Sequence, residues 1–244
     1  MTGAKAQAVF FDLDGTLAGF SDEVYDATMT RVCAEIGDRF RIDALSLQQF
    51  HRDKSVEHWR NVTAGVFTSK SGSVLGEAIM LDIWEDALEA AGCSEPEAAR
   101  IGHDAYWAAR NGIFHLYDDT LEVLQQLHGQ VPMAIITNGP ADLQEDKLKV
   151  LGINDYFELI VSSGAHGIGK PDAAIFQVAL DHLRIEPASA WHVGDNLYAD
   201  VAGAKRAGLR AAWVNRTGAT LTADDMTPDA EMTSLRGLLP LLGL

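Results

Sequence analysis

The sequence predicts an α/β fold in which a doubly wound parallel sheet, with helices on both faces, carries an inserted all-helical domain. Short apolar runs recur along the chain, as expected for strands that are buried on both faces of a parallel sheet. Helical patterns alternate with these runs, which is typical of βαβ units. After the first run, about 100 residues show helical patterns and no convincing strand, which indicates the insertion.

The first strand is predicted at residues 8–11, where the sequence is entirely apolar. Four later runs of the same kind are predicted as strands at residues 133–136, 159–161, 191–193 and 211–214. Helices are predicted between them at residues 120–127, 141–151, 173–183 and 197–207. Gly152 and Gly208 stand where glycines commonly end helices.

Residues 19–113 are predicted to form the inserted helical domain, which leaves residues 1–18 and 114–244 as the α/β core. Ser21 is followed by two acidic residues, a pattern typical of a helix N-terminus, and Gly37 is predicted to end this first helix. Three further helices are predicted at residues 45–59, 73–91 and 95–110. A helical block placed directly after the first strand of a βαβ fold is best explained as a cap.

Composition restricts the classes of partner. The 244 residues include 19 basic and 35 acidic side chains, a net charge of −16, which disfavours nucleic-acid polymers and anionic membranes as partners. No apolar run approaches the ~18 residues that a membrane span needs. Two isolated cysteines and an N-terminus without a secretory pattern favour a cytoplasmic protein, which we expect to be a monomer or a homodimer.

Two carboxylates, Asp12 and Asp14, follow the first predicted strand, at the end where open α/β sheets bind ligands. Two residues apart on an extended chain, they point roughly the same way and can face one site. Carboxylates act as nucleophiles, metal ligands or general acids. A polar turn with capping acids has the same composition, so this motif alone leaves the function open.

Three further motifs lie at predicted strand ends or helix starts. Thr137 and Asn138 follow the second core strand and offer a hydroxyl and backbone N–H groups to a phosphate. Lys170, just before a proline, can deliver a positive charge to the same anion. Asp195, with Asp200 five residues later, adds a carboxylate of the kind that Mg²⁺ prefers. A turn, a surface lysine and a capping acid are the structural alternatives.

Taken in order, the four motifs resemble the signatures of the haloacid dehalogenase-like superfamily. The motifs are Asp12-Leu13-Asp14-Gly15-Thr16, Thr137-Asn138, Lys170-Pro171 and Gly194-Asp195 with Asp200. The resemblance covers the whole chain, because the helical insertion lies where the first cap subclass of that family has its cap. It implies a Rossmann-like core and, from the Asp-Gly-Thr form of the first motif, the phosphatase branch.

The resemblance implies a Mg²⁺-dependent hydrolase that acts on a small-molecule phosphate ester through an aspartyl-phosphate. Asp12 would attack phosphorus, while Asp14 would protonate the leaving oxygen and then activate water. Mg²⁺ would be held by the Asp12 side chain, the Asp14 backbone carbonyl and Asp195, with Asp200 orienting these ligands.

The same resemblance implies that Thr137, the Asn138 backbone and Lys170 hold the phosphoryl oxygens. Such a division of roles suits phosphoryl transfer, which depends mostly on positioning and on charge stabilisation.

Other activities of the superfamily stay open. Asp14 disfavours a haloacid dehalogenase, because halide leaves without a proton, and Thr16 disfavours a sugar-phosphate mutase. A phosphonatase would need a cap lysine, for which Lys54 and Lys70 are the nearby candidates. Outside enzymes, a phospho-acceptor signalling module is disfavoured by chain length and by Asp14, and a non-catalytic relative by the intact motifs.

Substrate choice is expected to lie in the cap. Residues 39–70 hold six bases and three acids, an island that would attract an anionic substrate, unless it is simply a solvated helix face. The candidate specificity residues are Phe20, His51, Arg52, His58, Trp59, Arg60 and Phe67. The stretch 59–68 resembles caps of pyrimidine 5′-nucleotidases and N-acylneuraminate 9-phosphatases, which suggests a nucleotide or sugar phosphate. Arg52 and Ser55 resemble a motif of phosphoglucomutase-type caps instead.

Overall fold

The computed structural model describes residues 6–63 and 69–244 of the chain. The chain divides into two compact units. The core unit comprises Met1–Gly19, Leu116–Asn138 and Leu148–Leu244, and the helical unit comprises Phe20–His115 and Gly139–Lys147. Residues 139–147, which the sequence analysis assigns to the core, therefore group with the helices.

The core unit is built on a six-stranded sheet. The eight strands of the described chain are β1 (Ala8–Phe11), β2 (Ala18–Phe20), β3 (Phe114–Leu116), β4 (Met133–Thr137), β5 (Leu159–Ser162), β6 (Ala190–Gly194), β7 (Arg210–Val214) and β8 (Ala230–Met232). The large sheet has the order β5-β4-β1-β6-β7-β8 and every neighbouring pair is parallel, while β2 pairs with β3 separately. The five predicted strands are confirmed. The other three escaped prediction because each is three residues long and none is a continuous apolar run.

Ten α-helices accompany these strands in the part of the chain that the structure describes. They are α1 (Asp22–Phe40), α2 (Ala44–Thr63), α3 (Gly76–Ala90), α4 (Pro96–Ile113), α5 (Thr120–Leu127), α6 (Ala141–Val150), α7 (Ser163–His166), α8 (Ala173–Leu183), α9 (Gly203–Arg206) and α10 (Leu238–Leu242). A π-helical turn, Leu197–Ala202, leads into α9. None of the described helices is both long and apolar enough to cross a bilayer.

Alternation along β1 gives the sheet two apolar faces. Val9 and Phe11 pack in one cluster with residues of α5 and α10, whereas Ala8 and Phe10 pack in another with residues of α8 and α9. All four side chains are fully buried, and burial of each phenylalanine stabilises the fold by about 1.5–3 kcal/mol. Helices on both faces confirm the doubly wound sheet.

The helical unit packs α1 against α2 and α4, and α3 against the same two helices. Ser21 caps α1 as predicted, because its Oγ accepts a hydrogen bond from the Val24 N–H at 3.3 Å. The prediction that Gly37 ends this helix is wrong. The helix continues to Phe40, and Arg41 takes the left-handed conformation at φ 60°. Gly37 is needed for close packing instead, since a Cβ there would lie 2.7 Å from the Ile42 carbonyl oxygen.

Residues 139–147 are tied to the helical unit by polar contacts. Asp142 accepts hydrogen bonds from the first backbone N–H groups of α3, at 2.9 Å from Gly76 and 3.3 Å from Glu77. A carboxylate at this position satisfies N–H groups that have no partner inside the helix. Arg110 of α4 forms an ion pair with Asp146. These contacts explain why the segment groups with the helices, which residue patterns alone did not predict.

Gly102 of α4 offers a test of the packing in the helical unit. A Cβ at this position would lie 2.4 Å from Cδ2 of the fully buried Trp84. Gly102→Ala should therefore lower the free energy of unfolding by about 1–3 kcal/mol, although alanine favours a helix by about 1 kcal/mol. Gly112→Ala, in the same helix, is the control, because its Cβ would meet only Val24 at an ordinary 3.9 Å. Urea unfolding that ranks Gly102→Ala as stable as Gly112→Ala would contradict this packing.

Buried His51 of α2 predicts a dependence of stability on pH. Burial lowers the pKa of His51 to about 3, and the ring packs on Trp84 with centroids 4.2 Å apart. Its native pKa lies below that of the unfolded chain, so its contribution is complete above about pH 6.5 and is lost as the pH falls. Between that pH and about pH 3, we expect His51 to add about 1.4 kcal/mol per pH unit to the dependence of stability on pH.

Urea unfolding of the wild type and of His51→Leu between pH 5 and pH 7.5 measures this slope. In the variant, the dependence of the free energy of unfolding on pH should be smaller by about the contribution of one proton. Replacement of the exposed His166 is the control, because it leaves His51 in place and should retain the slope. Equal slopes for the wild type and His51→Leu would contradict the assignment.

Candidate active site

The candidate site lies at the carboxyl ends of β1, β4 and β6. β1 stands at the centre, and the chain runs from it to β4 on one side and later to β6 on the other. Such a reversal of strand order leaves a crevice at the strand ends, where open α/β sheets bind ligands. Asp12 follows β1, Thr137 ends β4 and Asp195 follows β6, so this edge gathers the polar motifs.

A buried ammonium group connects two of the carboxylates. Lys170 Nζ donates to Asp12 Oδ1 and to Asp200 Oδ1, both at 2.6 Å. The three residues are only 4%, 6% and 1% exposed, respectively. Charged hydrogen bonds of this kind are short and strong, and removal of one partner leaves a buried charge without compensation.

The pKa values of the two carboxyl groups are shifted in opposite directions. Burial and the nearby charges of Asp200 and Asp195 raise the pKa of Asp12, although Lys170 opposes this. Burial also acts to raise the pKa of Asp200, but Lys170 and His192 together bring it below its usual range. Burial acts to lower the pKa of Lys170, but the two carboxylates raise it above its ordinary value. Lys170 is therefore a fixed positive charge.

Both oxygens of Asp200 are occupied by the protein itself. Oδ1 accepts from Lys170 and lies 2.9 Å from His192 Nε2, while Oδ2 accepts from the Asn196 N–H at 3.0 Å. Asp200 is thus suited to orient its neighbours rather than to bind an ion. His192 was not assigned a role from sequence, because a histidine within a buried strand gives no local signal of its partner. Its burial lowers the pKa of its ring.

Thr16 lies between the two carboxylates that remain available. Its Oγ1 is 3.3 Å from both Asp12 Oδ2 and Asp195 Oδ1. A hydroxyl has one proton and can donate to only one of them at a time. Partial desolvation and the charge of Asp200 raise the pKa of Asp195, which also indicates excess negative charge at this point.

The donor set fits a hard divalent cation. Oxygens of Asp12, Asp195 and Asp200 lie within 4.8 Å of one another. Mg²⁺ characteristically binds one or two carboxylates and keeps several waters. Since Asp200 is occupied, Asp12 and Asp195 are the side chains that would hold the ion. Gly15 makes room for this arrangement at φ 86°, because a Cβ there would lie 2.5 Å from Asp195 Oδ2.

Asn138 positions Lys170 through its side chain. Its Nδ2 donates to the Lys170 carbonyl at 2.9 Å, and its Oδ1 accepts from the Lys170 N–H at 2.8 Å. The side-chain amide therefore fixes the lysine backbone, and the expected role of the Asn138 backbone as a phosphate ligand stays a prediction. Thr137 is buried at the end of β4, and Asp14 is exposed. The buried lysine and the exposed Asp14 thus differ sharply in their access to solvent.

The candidate specificity residues of the helical unit have diverse surroundings. His51 is 1% exposed, so its side chain belongs to the core of this unit. Arg52, on the same helix, is exposed and pairs with Asp26 at 2.8 Å. His58 lies 2.8 Å from the Asp86 carboxylate. None of these contacts by itself identifies a substrate-binding side chain.

The remaining candidates include two aromatic residues that are described. Phe20 is 44% exposed and contacts the rings of Tyr25 and Phe114. Trp59 packs against the apolar cluster of α3, and Arg60 is exposed. Phe67 lies outside the described residues.

Known proteins resemble the chain over most of its length. A family model described as haloacid dehalogenase-like hydrolase matches residues 6–208. Phosphoserine phosphatase of Thermus thermophilus is 38% identical over 155 residues, which cover 63% of the chain. The chain spans only 61% of the length of that relative. Ribulose-1,5-bisphosphate 5-phosphatase of Halopiger xanaduensis is 34% identical over 208 residues, 84% of the chain and 82% of the relative.

Solved structures share the fold. The crystal structure of a 2-haloacid dehalogenase from Pseudomonas syringae pv. Tomato DC3000 matches with a TM-score of 0.72 and 28% identity. The match covers 97% of each chain. Proteins named for phosphate esters and for haloacids therefore both resemble this chain.

Lys170→Met should unbalance the buried charges. The two carboxylates would lose their shared cation, so we expect the free energy of unfolding at pH 7.5 to fall by roughly 3–5 kcal/mol. Lys205→Met is the matched control, since Lys205 pairs with Asp229 at 2.7 Å in a partly exposed ion pair. Its loss should stay below about 1 kcal/mol.

Urea unfolding repeated at about pH 4.5 distinguishes a loss of stability that is due to unpaired charges from one that is due to lost packing. Without Lys170 the native pKa of Asp200 should rise above its unfolded value, and the pKa of Asp12, which burial already raises, should rise further. Protonation then relieves the destabilisation as the pH falls. The loss in Lys170→Met should then shrink. A loss that does not depend on pH would mean that the lysine acts through its packing alone.

Proposed function

We propose that this chain, which belongs to the haloacid dehalogenase-like hydrolase family, hydrolyses phosphate monoesters of small metabolites with the help of Mg²⁺. The observation that carries the proposal is the pair of carboxylates at the end of β1. Asp12 is buried and bound to Lys170, whereas Asp14 is exposed two residues later. Two carboxyl groups in such different environments suit the two different roles that phosphate-ester hydrolysis needs.

Asp12 is the proposed nucleophile. Lys170 holds Oδ1 at 2.6 Å, and Thr16 lies 3.3 Å from Oδ2, so the side chain has a defined orientation. Attack of a carboxylate oxygen on phosphorus expels the alcohol and forms an aspartyl-phosphate, which water then hydrolyses. When bound by Asp12 and Asp195, Mg²⁺ would supply positive charge that offsets the repulsion between the anionic nucleophile and its anionic substrate.

Asp14 is the proposed general acid and base. Its exposure gives it access to a leaving group and to water. It would donate a proton to the departing alkoxide and afterwards take one from the hydrolytic water, a role that contributes about 10²–10⁴-fold in other enzymes. Loss of the proton to the leaving group in the first step prepares the carboxylate for the second.

Thr137, the backbone N–H of Asn138 and the Lys170 ammonium group are the proposed partners of the phosphoryl oxygens. The side-chain amide of Asn138 holds the Lys170 backbone on both its N–H and its carbonyl. Lys170 is therefore pre-organised, and a positioned cation stabilises developing charge without reorganisation in the transition state.

We also propose that residues 19–113 are the substrate-selecting cap, and that a nucleotide or sugar phosphate is the substrate class. Names of the relatives support phosphate esters of small metabolites in general. Phe20, at the beginning of the helical unit, is the described aromatic candidate with an exposed ring. We retain the cytoplasm as the proposed location.

Dehalogenation is the second candidate, because a haloacid dehalogenase is among the similar structures. Asp14 argues against it, since departure of a halide needs no acid. A phosphonatase lysine in the helical unit has less support, because Lys54 pairs with Glu57 at 2.8 Å and Lys70 pairs with Asp86. Phosphate esters therefore remain the better supported class.

Release of phosphate from an aryl phosphate tests the proposal. The wild-type protein should release phosphate from the aryl phosphate when Mg²⁺ is present, and this release should stop when the metal is chelated. Asp12→Asn should reduce turnover by at least about 10³-fold, and Asp14→Asn by about 10²–10⁴-fold. Asp155→Asn, at an exposed position outside the site, is the control and should keep the wild-type rate.

Two outcomes would contradict the proposal. One is undiminished phosphate release by Asp12→Asn. The other is chloride release from 2-chloropropanoate by a wild-type protein that leaves aryl phosphates intact.

Mass spectrometry of the acid-quenched Asp14→Asn variant should in addition reveal a phosphoryl group on the peptide that carries Asp12.

A further inference from the structure

We propose that Arg216, held in place by Asp119, is a positioning residue that orients Thr16 between the carboxylates of Asp12 and Asp195. This inference rests on the proposed function, because it assigns Arg216 to the support of the same metal site. Arg216 and Asp119 lie outside the four sequence motifs. Arg216 contacts the first motif through the backbone carbonyl of Thr16, and Asp119 contacts Arg216.

The guanidinium of Arg216 makes a fork of hydrogen bonds. Nη2 donates to the Thr16 carbonyl oxygen and to Asp119 Oδ1, both at 2.9 Å. Nη1 donates to Asp119 Oδ2 at 3.1 Å. The guanidinium carbon lies 3.9 Å from the centre of the Tyr117 ring, which restricts its plane. Only arginine offers several donors in a rigid plane that matches a carboxylate and a carbonyl together.

Asp119 is itself anchored. It is 3% exposed, and its Oδ2 accepts from Ser234 Oγ at 2.7 Å and from the Leu235 N–H at 2.8 Å. The carboxylate therefore joins the beginning of α5 to the C-terminal segment. Arg216 receives a fixed partner on one side, so the donor that it presents to Thr16 is also fixed.

The carbonyl of Leu17, the next residue in the same loop, is also fixed by hydrogen bonds. The Leu17 carbonyl accepts from Thr120 Oγ1 at 2.7 Å and from the Tyr117 N–H at 3.2 Å. The consecutive carbonyls of Thr16 and Leu17, at the end of the first motif, thus accept from Arg216 and from residues 117–120 respectively. Both Thr16 and Leu17 are fully buried, where a carbonyl without a partner would be costly.

Fixing this backbone also fixes the hydroxyl. Threonine is branched at Cβ and has few χ1 rotamers, so its Oγ1 follows the orientation of its peptide unit. Thr16 Oγ1 lies 3.3 Å from one oxygen of Asp12 and 3.3 Å from one of Asp195. Rotation of the Thr16 peptide would move this hydroxyl away from the two proposed metal ligands. Arg216 therefore acts on the metal site without touching it.

The test compares Arg216→Met with Arg236→Met. Arg236 is the matched control, because it also joins the C-terminal segment to the beginning of α5, through Glu122 at 2.7 Å, and has no contact with Thr16. Hydrogen exchange of the backbone amides at 13–18 is measured without metal or substrate. The amides of Gly15, Leu17 and Ala18 donate to carbonyls within this loop and report its order directly.

Arg216→Met should accelerate exchange in this loop and weaken Mg²⁺ binding, measured by calorimetry, by about 10–100-fold. It should lower kcat with a smaller change in KM. Arg236→Met should leave the loop exchange, the Mg²⁺ affinity, kcat and KM unchanged even where it lowers the melting temperature. The inference is overturned if both variants give the same loop exchange and the same Mg²⁺ affinity.

Arg216→Lys keeps the charge and provides a second comparison. A single ammonium group cannot serve the carbonyl and both oxygens of Asp119, so we expect values between those of the wild type and of Arg216→Met. If Arg216→Met fails to fold, wild-type exchange and Mg²⁺ affinity in Arg216→Lys would overturn the inference. Absence of phosphatase activity in the wild type would instead refute the proposed function, because loop exchange is read independently of turnover.

Discussion

The candidate site depends on one buried interaction, the ammonium group of Lys170 between the carboxylates of Asp12 and Asp200. A buried carboxylate is stable only with a partner, so the lysine makes it possible to place Asp12 at the end of a central strand. The parallel order of β4, β1 and β6 brings the strand ends together, and the Asn138 amide holds the lysine backbone. Sheet topology, amide and ion pair thus form one arrangement that fixes the Asp12 side chain.

Close approach of the backbone is the second constraint on this site. A Cβ at Gly15 would collide with the Asp195 carboxylate, and a Cβ at Gly194 would lie 2.2 Å from Cγ of Asp200. A Cβ at Gly169 would lie 2.9 Å from Oδ1 of Asn138. Glycines next to the motif residues therefore let carboxylates and main chain occupy the same small volume. The close spacing of negative charge that results is what makes a cation a fitting occupant.

Charge is distributed differently in the two units. In the core unit, two buried acids share one lysine, and the Thr16 hydroxyl lies 3.3 Å from both Asp12 Oδ2 and Asp195 Oδ1. In the helical unit, four of the six cations of the basic island at 39–70 have acidic partners. These ion pairs are Arg39 with Glu97, Arg52 with Asp26, Lys54 with Glu57 and Lys70 with Asp86. An attraction of this island for anionic substrates would therefore have to compete with internal pairing.

Local patterns of the chain were sufficient to predict the five longer strands of the sheet, the helical insertion and the motifs at the strand ends. Apolar runs and helix periodicity involve only residues that are close in sequence, so they can be recognised without knowing which other segments pack against them. Phe114–Leu116 and Ala230–Met232 were missed because strands this short become strands through pairing. The role of His192, the burial of His51 and the contact of Arg216 with Thr16 were not predictable either. The partners of these three residues are 8, 33 and 200 residues away in sequence, respectively. Such contacts form only when the chain packs into its tertiary structure, and local periodicity does not indicate them.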